Sequence, residues 1–329
     1  SYEQNTRRLL DKNPISAVHY ASTVISLFNI KSCALVIDRT NWQYGSIDYN
    51  LLVLSLIWND LSIPIYWLHL DNKGGNSKSE QRIELVKWFT DNFATVTIEH
   101  VLADREFPSQ EFISWLNQNN LPFVFRSKSS VLATDANKKV KVSTLFPNLH
   151  QQSNKTKAET KIRRIYNSRL YLTIRLNQDN EKVYIISNQK QDNAAEIYRK
   201  RWTIEAMFAK FKTKGLKLES TRIMKHQRIQ SLFMLMSIAY CYAIKIGDIA
   251  NKLKPNKLKT LKNHDSNTIR ITPEHSIFNR GINLLKILVE NYLSHSAVIT
   301  KQLSKILSPD SQNSCINRCS ALANIISAF

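Results

Sequence analysis

Two aspartates lie where short apolar runs of the sequence end. Asp38 interrupts CALVIDRTNW (33–42) and Asp104 interrupts TVTIEHVLADREF (95–107), and both runs are rich in β-branched residues. An acid at a strand end of an α/β layer is well placed to point into the crevice beyond the sheet. A single strand-end Asp is also a common turn residue, so neither acid alone decides between a catalytic and a structural role.

A third acid, Glu205, belongs to a polar stripe on a predicted helix over 194–215. At 100° per residue, Tyr198, Arg201, Glu205 and Lys212 fall within one stripe about 60° wide. The adjoining face is apolar and suited to packing on a sheet; it carries Ile197, Ile204, Met207, Phe208 and Phe211. The simpler interpretation is a solvated helix face on which Arg201 and Glu205 form an i,i+4 ion pair.

The charge of the chain favours an anionic polymer as partner. The 329 residues include 46 Lys and Arg against 26 Asp and Glu, a formal net charge of +20. Residues 1–128 carry 12 basic and 13 acidic residues, whereas residues 129–329 carry 34 and 13. Such a surplus typically neutralises phosphates, and its position indicates that the later part of the chain supplies most of the binding surface.

The elements that position these acids form a predicted β-β-β-α-β-α-β order. Helical spacing extends over 5–30 with a break at Pro14; the later elements are strands at 33–42, 46–58 and 63–70, a helix at 80–93, a strand at 95–107, a helix at 109–118 and a strand at 121–128. Short alternating runs over 129–188 predict a small β insertion, and helix returns at 193. The expected fold class is α/β, a mixed sheet flanked by helices with a helical C-terminal region.

The cysteines and histidines give little support to a zinc site. Cys33, Cys241, Cys315 and Cys319 lack the paired spacing of zinc ligands, and the eight histidines are scattered singly. The cysteines are interpreted as reduced thiols of a cytoplasmic protein. The apolar stretch Ile229–Ile244 is shorter than a membrane-spanning helix needs and is interpreted as a buried helix; the Lys-rich stretch 251–270 and the polar segment 307–318 are expected to have little regular structure.

Taken together, these residues resemble the DDE transposases of bacterial insertion sequences. The resemblance is carried by Asp38 in VIDRTNW, Asp104 in LADREF, and Glu205 within a Y-x2-R-x3-E-x6-K pattern. That pattern is the Y-R-E-K signature of the insertion-sequence-four branch, and the similarity covers roughly residues 30–225. It implies an RNase H-like catalytic core formed by 31–128 and 189–250, with the β insertion at 129–188 and a helical C-terminal region at 251–329. Residues 1–30 would be the helical end of an N-terminal DNA-binding region that is short or truncated compared with the family.

The resemblance also implies roles for individual residues. Asp38, Asp104 and Glu205 would hold two Mg²⁺ or Mn²⁺ ions, with Asp38 bridging them, and an oxygen-only ligand set suits these metals. Tyr198, Arg201 and Lys212 would contact phosphates at the ends of the transposable element. Trp202 would either stack on a displaced base or pack in the core. Further candidate DNA contacts are Lys210, Lys214 and Arg105.

The implied function is cut-and-paste DNA transposition, a form of DNA recombination. Its partners would be the terminal inverted repeats and the target DNA, handled by a homodimer that is cytoplasmic and nucleoid-associated when bound to DNA. Three alternatives stay open: a metal-dependent endonuclease of the same fold that only hydrolyses, an inactive domesticated copy that binds DNA, and a glycoside hydrolase that uses paired carboxylates. The lysine-rich helix around Glu205 suits the last one poorly.

Overall fold

The chain divides into two compact units in a computed structural model. The model describes residues 2–12, 15–71, 76–146, 158–177, 180–262, 269–290, 300–301 and 303–306. The first unit comprises residues 1–29 and 227–329, and the second comprises residues 30–226. The two terminal segments thus belong to one unit, and the intervening segment, which carries the three acids, forms the other.

The main elements of the described secondary structure are eight α-helices and twelve strands. The helices are α1 Tyr2–Lys12, α2 Ala17–Leu27, α3 Ser79–Asn92, α4 Gln110–Gln118, α5 Ala194–Arg199, α6 Trp202–Lys212, α7 His226–Leu253 and α8 Ile277–Glu290. The strands are β1 Ser32–Tyr44, β2 Ile47–Trp58, β3 Leu61–His69, β4 Thr97–Ala103, β5 Phe123–Ser127, β6 Leu132–Asp135, β7 Lys138–Lys141, β8 Glu159–Ile165, β9 Ser168–Leu176, β10 Lys182–Ser187, β11 Leu258–Lys262 and β12 Ile269–Pro273.

The second unit is built on one ten-stranded mixed sheet. The strand order is β3-β2-β1-β4-β5-β10-β9-β8-β6-β7. Pairing is parallel for β1 with β4 and β4 with β5, and antiparallel for all the others. The order β3-β2-β1-β4-β5 is the RNase H-like arrangement, so the predicted fold class is confirmed. The strands predicted within 129–188 are β6 to β10. They extend this sheet, because β10 pairs with β5.

Strand β1 does not end at Asp38. It continues to Tyr44 and pairs with β2 along its whole remaining length, from Asp38 with Val53 to Tyr44 with Ile47. What ends at Asp38 is the pairing with β4, whose last partners are Ile37 and Ala103. The prediction that β1 ends near Trp42 was therefore close, but Asp38 lies inside a strand, at the point where one of its two neighbours diverges.

The segment predicted as one helix around Glu205 forms two helices. The prediction of one helix over 194–215 was wrong, because α5 ends at Arg199 and α6 begins at Trp202. Arg201 keeps right-handed helical torsions, φ −54° and ψ −31°, so the side-chain spacing of the predicted stripe is largely preserved. Helix α6 also stops at Lys212, three residues before the predicted end.

In the first unit, α7 and α8 cross with their backbones in close contact. A Cβ atom built on Gly247 would overlap the carbonyl of Ile277, and one built on Gly281 would overlap the carbonyl of Ala243. Glycine is therefore required at both positions. Helix α7 is long and apolar enough to cross a membrane by length and composition, yet 72% of its most apolar window is buried within the protein, as predicted for the stretch Ile229–Ile244.

The Lys-rich stretch after α7 contains a hairpin. Strands β11 and β12 pair from Leu258 with Pro273 to Lys262 with Ile269, so the expectation of little regular structure over 251–270 was wrong. Cys33 and Cys241 are buried free thiols. Cys315, Cys319 and the polar segment 307–318 lie outside the described residues.

Candidate active site

Sheet register places Asp38 and Asp104 side by side. Ile37 and Ala103 are the last partners of the parallel pair β1 and β4, and the two aspartates are the next residue on each strand. Neighbouring strands lie about 4.8 Å apart, so both acids leave the same edge of the sheet. The prediction from two apolar runs ending in an acid therefore identified two residues that are adjacent in the fold.

The loop that follows Asp104 is fixed by a buried arginine. Arg82 of α3 donates to the carbonyl oxygens of Phe107 and Ser77, and its Nε donates to Ser77 Oγ at 2.9 Å. The Phe107 amide donates to the Asp104 carbonyl at 3.0 Å, which closes a tight turn. Because these bonds satisfy a buried guanidinium, they hold the Asp104 loop in one conformation.

Helix α6 is docked against β3 and β1. Its apolar face is buried, as the sequence predicted, through Ile204, Met207, Phe208 and Phe211. A polar contact fixes the start of the helix, since the hydroxyl oxygens of Thr203 and buried Ser62 of β3 lie 2.8 Å apart. Glu205 is thereby held in the first turn of α6, above the strand that carries Asp38.

Arg201 links all three acids. Its guanidinium donates through Nη1 to Asp38 Oδ2 at 3.1 Å and through Nη2 to Glu205 Oε1 at 2.5 Å. Its Nε donates to the Tyr198 hydroxyl at 3.1 Å, and that hydroxyl donates to Asp104 Oδ1 at 2.9 Å. Arg201 is only 4% exposed, so this buried cation and one phenol connect three carboxylates that are far apart in sequence.

Burial shapes the protonation of this cluster. Burial raises the pKa of Asp38 to about 6, against the opposing effects of the Arg39 amide and the Arg201 guanidinium. For Arg201, burial alone would lower the pKa, but Tyr198, Glu205 and Asp38 more than compensate and raise it above its ordinary value. Burial also raises the pKa of Tyr198, so the phenol stays a proton donor to Asp104.

The sequence pattern described as "Transposase DDE domain" matches residues 30–242. This chain belongs to that family. The matched segment begins two residues before β1 and extends into α7, so it contains β1, β4 and α6 with all three acids. A search of curated protein sequences finds no match to the chain.

A solved transposase structure is similar to this DDE-domain protein at low identity. The similar chain is described as "Cryo-EM structure of piggyBac transposase synaptic complex with hairpin DNA", with 12% sequence identity and a TM-score of 0.45. The alignment covers 90% of this chain and 57% of that one, so this chain spans little more than half the length of the other transposase.

The remaining residue of the stripe, Lys212, lies apart from the acids of the DDE domain. Its Nζ donates to the Asn41 carbonyl at 2.8 Å and pairs with Glu219 at 2.9 Å. Asn41 is three residues beyond Asp38 on β1, so Lys212 attaches the C-terminal end of α6 to the strand that carries Asp38. The structure thus brings Tyr198, Arg201 and Glu205 into the cluster and leaves Lys212 at its margin.

The other predicted DNA contacts differ in exposure. Trp202 is 65% exposed, so the alternative of core packing for this ring was wrong, and Arg201 Cζ lies 5.9 Å from its centroid. Lys214 and Arg105 are exposed. Lys210 is half-buried, and burial, followed by the charge of Lys214, lowers its pKa. Trp202, Lys214 and Arg105 are therefore accessible to a large ligand, and Lys210 less so.

Two arginines that sequence patterns did not single out contribute to the site. The Arg39 amide donates to Asp38 Oδ1 at 2.8 Å, and its guanidinium pairs with Glu106 at 3.3 Å. Arg126 of β5 lies 4.0 Å from Asp104 Oδ1. The sequence signal for Arg39 was its position directly after Asp38. For Arg126 the signal was its strand, because β5 lies next to β4 and the residues of β5 near Ser127 lie at the same edge of the sheet.

The cluster has the ligand chemistry of a divalent-metal site but is closed around Arg201. Among the residues that the structure describes, no group of three or more Asp, Glu, His or Cys side chains is arranged to hold a metal. The acids supply only oxygen donors, which suit Mg²⁺ or Mn²⁺. The guanidinium lies between two of them, so the positive charge that these carboxylates need comes from the chain itself.

Proposed function

We propose that this chain is a DNA transposase that cleaves the ends of a transposable element and joins them to target DNA. The observation that carries the proposal is the convergence of Asp38, Asp104 and Glu205 on one arginine and one tyrosine, in a chain that belongs to the transposase DDE domain family. Members of this family use divalent metal ions. No covalent protein nucleophile is needed, because attack by water and then by a DNA 3′-hydroxyl accounts for both steps.

Asp38, Asp104 and Glu205 would hold two Mg²⁺ ions. When bound, such ions lower the pKa of the attacking water and stabilise the leaving oxygen of an in-line displacement. Asp38 lies between the other two acids, through its strand neighbour Asp104 and through Arg201 to Glu205, which supports its assignment as the bridging ligand. Its burial favours the protonated form, so it needs a positive charge nearby to stay ionised, and Arg201 meets that need.

Arg201 and Tyr198 would exchange their carboxylate partners for phosphates when metal and DNA are bound. A guanidinium suits bidentate contact with a phosphate, and both groups are hydrogen-bond donors at the edge of the carboxylate cluster. Trp202, which is exposed one residue further on, is placed to stack on a displaced base. Lys214 and Arg105 would contact the DNA backbone, Lys210 is a weaker candidate, and Lys212 would reach a phosphate by leaving Asn41 and Glu219.

The finer assignments follow the same proposal. The Tyr198, Arg201, Glu205 and Lys212 spacing supports membership of the insertion-sequence-four branch. DNA binding is supported by the net charge of +20. A homodimer would bring two element ends together, and the chain would act in the cytoplasm, associated with the nucleoid. Residues 31–128 and 189–250 would form the catalytic core and residues 129–188 its insertion.

The test compares Glu205→Gln with Glu196→Gln on DNA that carries the two ends of the element encoding this chain. Glu196 lies on α5, pairs with Arg175 and is outside the cluster, so it is a matched control for the loss of one carboxylate. We expect Glu205→Gln to lower Mg²⁺-dependent cleavage by at least about a thousandfold and the control to leave it unchanged. Equal cleavage by Glu205→Gln and the wild type would contradict the metal-ligand role.

The product distribution distinguishes a transposase from a nuclease. Wild-type protein with Mg²⁺, cleaved ends and a plasmid target should give joined products, detected by sequencing across the junctions. Hydrolysed ends without joined products would show a nuclease of the same fold. DNA binding without any cleavage would show an inactive copy.

A further inference from the structure

A group of arginines lies at the end of the ten-stranded sheet formed by β6 to β9, between two hairpin turns. The turn Ala136–Asn137 joins β6 to β7 and the turn Tyr166–Asn167 joins β8 to β9, and all four residues have left-handed φ values between 44° and 65°. An open cavity of about 580 Å³ lies between these hairpin ends. Its lining consists of Thr134, Asp135, Ala136, Ile162, Arg163, Arg164, Asn167 and Arg169.

The cavity has more positive than negative charge. Three arginines line it against one acid, Asp135, whose Oδ1 lies 3.0 Å from Arg163 Nη2. The Nε of Arg163 is buried and has no hydrogen-bond partner among the described residues. Arg164 and Arg169 are exposed, and the side chain of neither forms a hydrogen bond or ion pair with the described part of the chain.

Strand register makes this arrangement unfavourable without an anion. Arg164 of β8 and Arg169 of β9 are direct cross-strand partners. Like charges directly opposite each other in an antiparallel pair are destabilising, and neither arginine forms an ion pair with an acidic side chain of the described chain. Guanidinium groups bind phosphate oxygens through parallel N–H donors, so a phosphate placed between the two would remove the repulsion and satisfy their donors.

We propose that this cavity binds a phosphate of the DNA backbone. The proposal rests on the proposed function, since it assigns a second contact to the DNA on which the carboxylate cluster acts. Strand β8 is four places from β4 in the sheet, about 20 Å at 4.8 Å per strand. The register adds an offset along the strands, because the level of Asp104 continues through Arg126 and Ile185 to Thr173, which is four residues, about 14 Å, beyond Arg169. The two components together give about 24 Å, or about seven base pairs of duplex. One DNA duplex that reaches the carboxylates is therefore long enough to reach the cavity as well.

The first experiment measures the salt dependence of DNA binding. Fluorescence anisotropy with a labelled 40-base-pair duplex compares the wild type with the double variant Arg164→Gln, Arg169→Gln between about 50 and 300 mM NaCl. The loss of this one phosphate contact should reduce the slope of log K against log salt by about 0.9. The matched control is Lys31→Gln with Lys87→Gln, which removes two exposed cations of the same unit near β1 and on α3.

The second experiment uses inorganic phosphate alone as the probe. Phosphate at millimolar concentrations should raise the melting temperature of the wild type, and the double variant should lose most of that rise. Because the variant also lacks the cross-strand repulsion, it should melt at a higher temperature than the wild type in phosphate-free buffer at low salt. The melting temperature therefore tests the cavity without DNA and without catalysis.

The outcomes separate the DNA site from its alternatives. A slope equal to that of the wild type, or a fall no larger than that of the Lys31 and Lys87 control, overturns the proposal. Stabilisation by phosphate with an unchanged DNA slope shows a site for free phosphate and also overturns it. If the wild type binds DNA and cleaves it while the double variant keeps the full slope, only this inference fails; if the wild type binds no DNA, the proposed function fails with it.

Discussion

Arginine has opposite roles in two regions of the ten-stranded sheet. At the edge of β1 and β4, buried Arg201 has two carboxylate partners and a phenol within hydrogen-bond distance. At the hairpin turns of β6–β9, Arg164 and Arg169 face each other without an acidic partner in the described chain. In the first region the chain itself supplies the opposite charges. In the second region the two positive charges lack an anion, which a ligand would supply.

The difference indicates what each region must do to bind a ligand. A cation that enters the carboxylate cluster must displace Arg201, so metal binding there is an exchange of positive charges. A phosphate that enters the turn cavity displaces only water and relieves repulsion. We therefore expect removal of an arginine to destabilise the protein at the first region and to stabilise it at the second.

The largest effect is expected for Arg201→Gln. Removing one partner of a buried ion pair leaves Asp38 uncompensated, and we expect a loss of about 3 kcal/mol in the free energy of unfolding of metal-free protein, measured by urea denaturation. Arg175→Gln, which breaks an exposed pair with Glu196, is the control and should cost less than about 1 kcal/mol. Mg²⁺ should restore more stability to Arg201→Gln than to the wild type. Equal losses in the two variants would contradict the internal role of Arg201.

The next effect is a pH dependence of stability that comes from Asp38. Its pKa of about 6 in the folded protein lies above its ordinary value of 3.8. Between pH 3.8 and 6, the folded state therefore keeps a proton on Asp38 that the unfolded state has released. The stability of the wild type relative to Asp38→Asn should therefore be greatest below pH 4. It should fall by roughly 3 kcal/mol as the pH rises through 6.

The measurement for Asp38 is urea denaturation of metal-free wild type and Asp38→Asn at several pH values. Asp60→Asn, in the exposed turn between β2 and β3, is the control for an Asp to Asn change. A difference between wild type and Asp38→Asn that stays constant from pH 4 to pH 7.5 would show that burial does not perturb this carboxyl.

A smaller effect is expected for Tyr198→Phe. The change removes the hydroxyl that donates to Asp104 and accepts from Arg201, and a typical loss is about 1 kcal/mol. Tyr171→Phe on β9 is the control, because its hydroxyl makes no hydrogen bond to the described part of the chain. Calorimetry that shows the same melting temperature for both variants would mean that the phenol does not link Arg201 to Asp104.

The smallest effect has the opposite sign. Arg169→Gln removes one charge of the cross-strand pair and should stabilise the protein by about 0.5 kcal/mol at low ionic strength. The gain should vanish above about 0.5 M salt because exposed charges are then screened. Arg175→Gln on the same strand should instead be neutral or destabilising. A loss of stability for Arg169→Gln would contradict the expectation that the two arginines repel each other in the second region.

The sequence predicted the sheet and the acids better than it predicted their partners. Apolar runs ending in an acid singled out Asp38 and Asp104, but that the two lie side by side follows from the parallel pairing of β1 with β4. Helical spacing also gave the correct face for Tyr198, Arg201 and Glu205. It did not show that Arg201 contacts Asp38, since a helical projection gives directions around an axis and contains no information about the opposite surface.

Other features depend on pairing between segments that are distant in sequence. The contact of Arg126 with Asp104 requires the order of β4 and β5, and the opposition of Arg164 and Arg169 requires the register set by the Tyr166–Asn167 turn. The β11–β12 hairpin was missed because its lysines suggested a solvated loop. The break at Lys200 was missed because neither Lys200 nor Arg201 is a helix-breaking residue.

That break places a junction between two helices inside the carboxylate cluster. Tyr198 belongs to α5 and holds Asp104, Glu205 belongs to α6, and Arg201 stands at the junction and contacts both. The contact with Asp104 therefore depends on the position of α5, whereas Glu205 is fixed by the buried face of α6 against the sheet. Arg201 is the side chain through which two separate helices act on one group of acids.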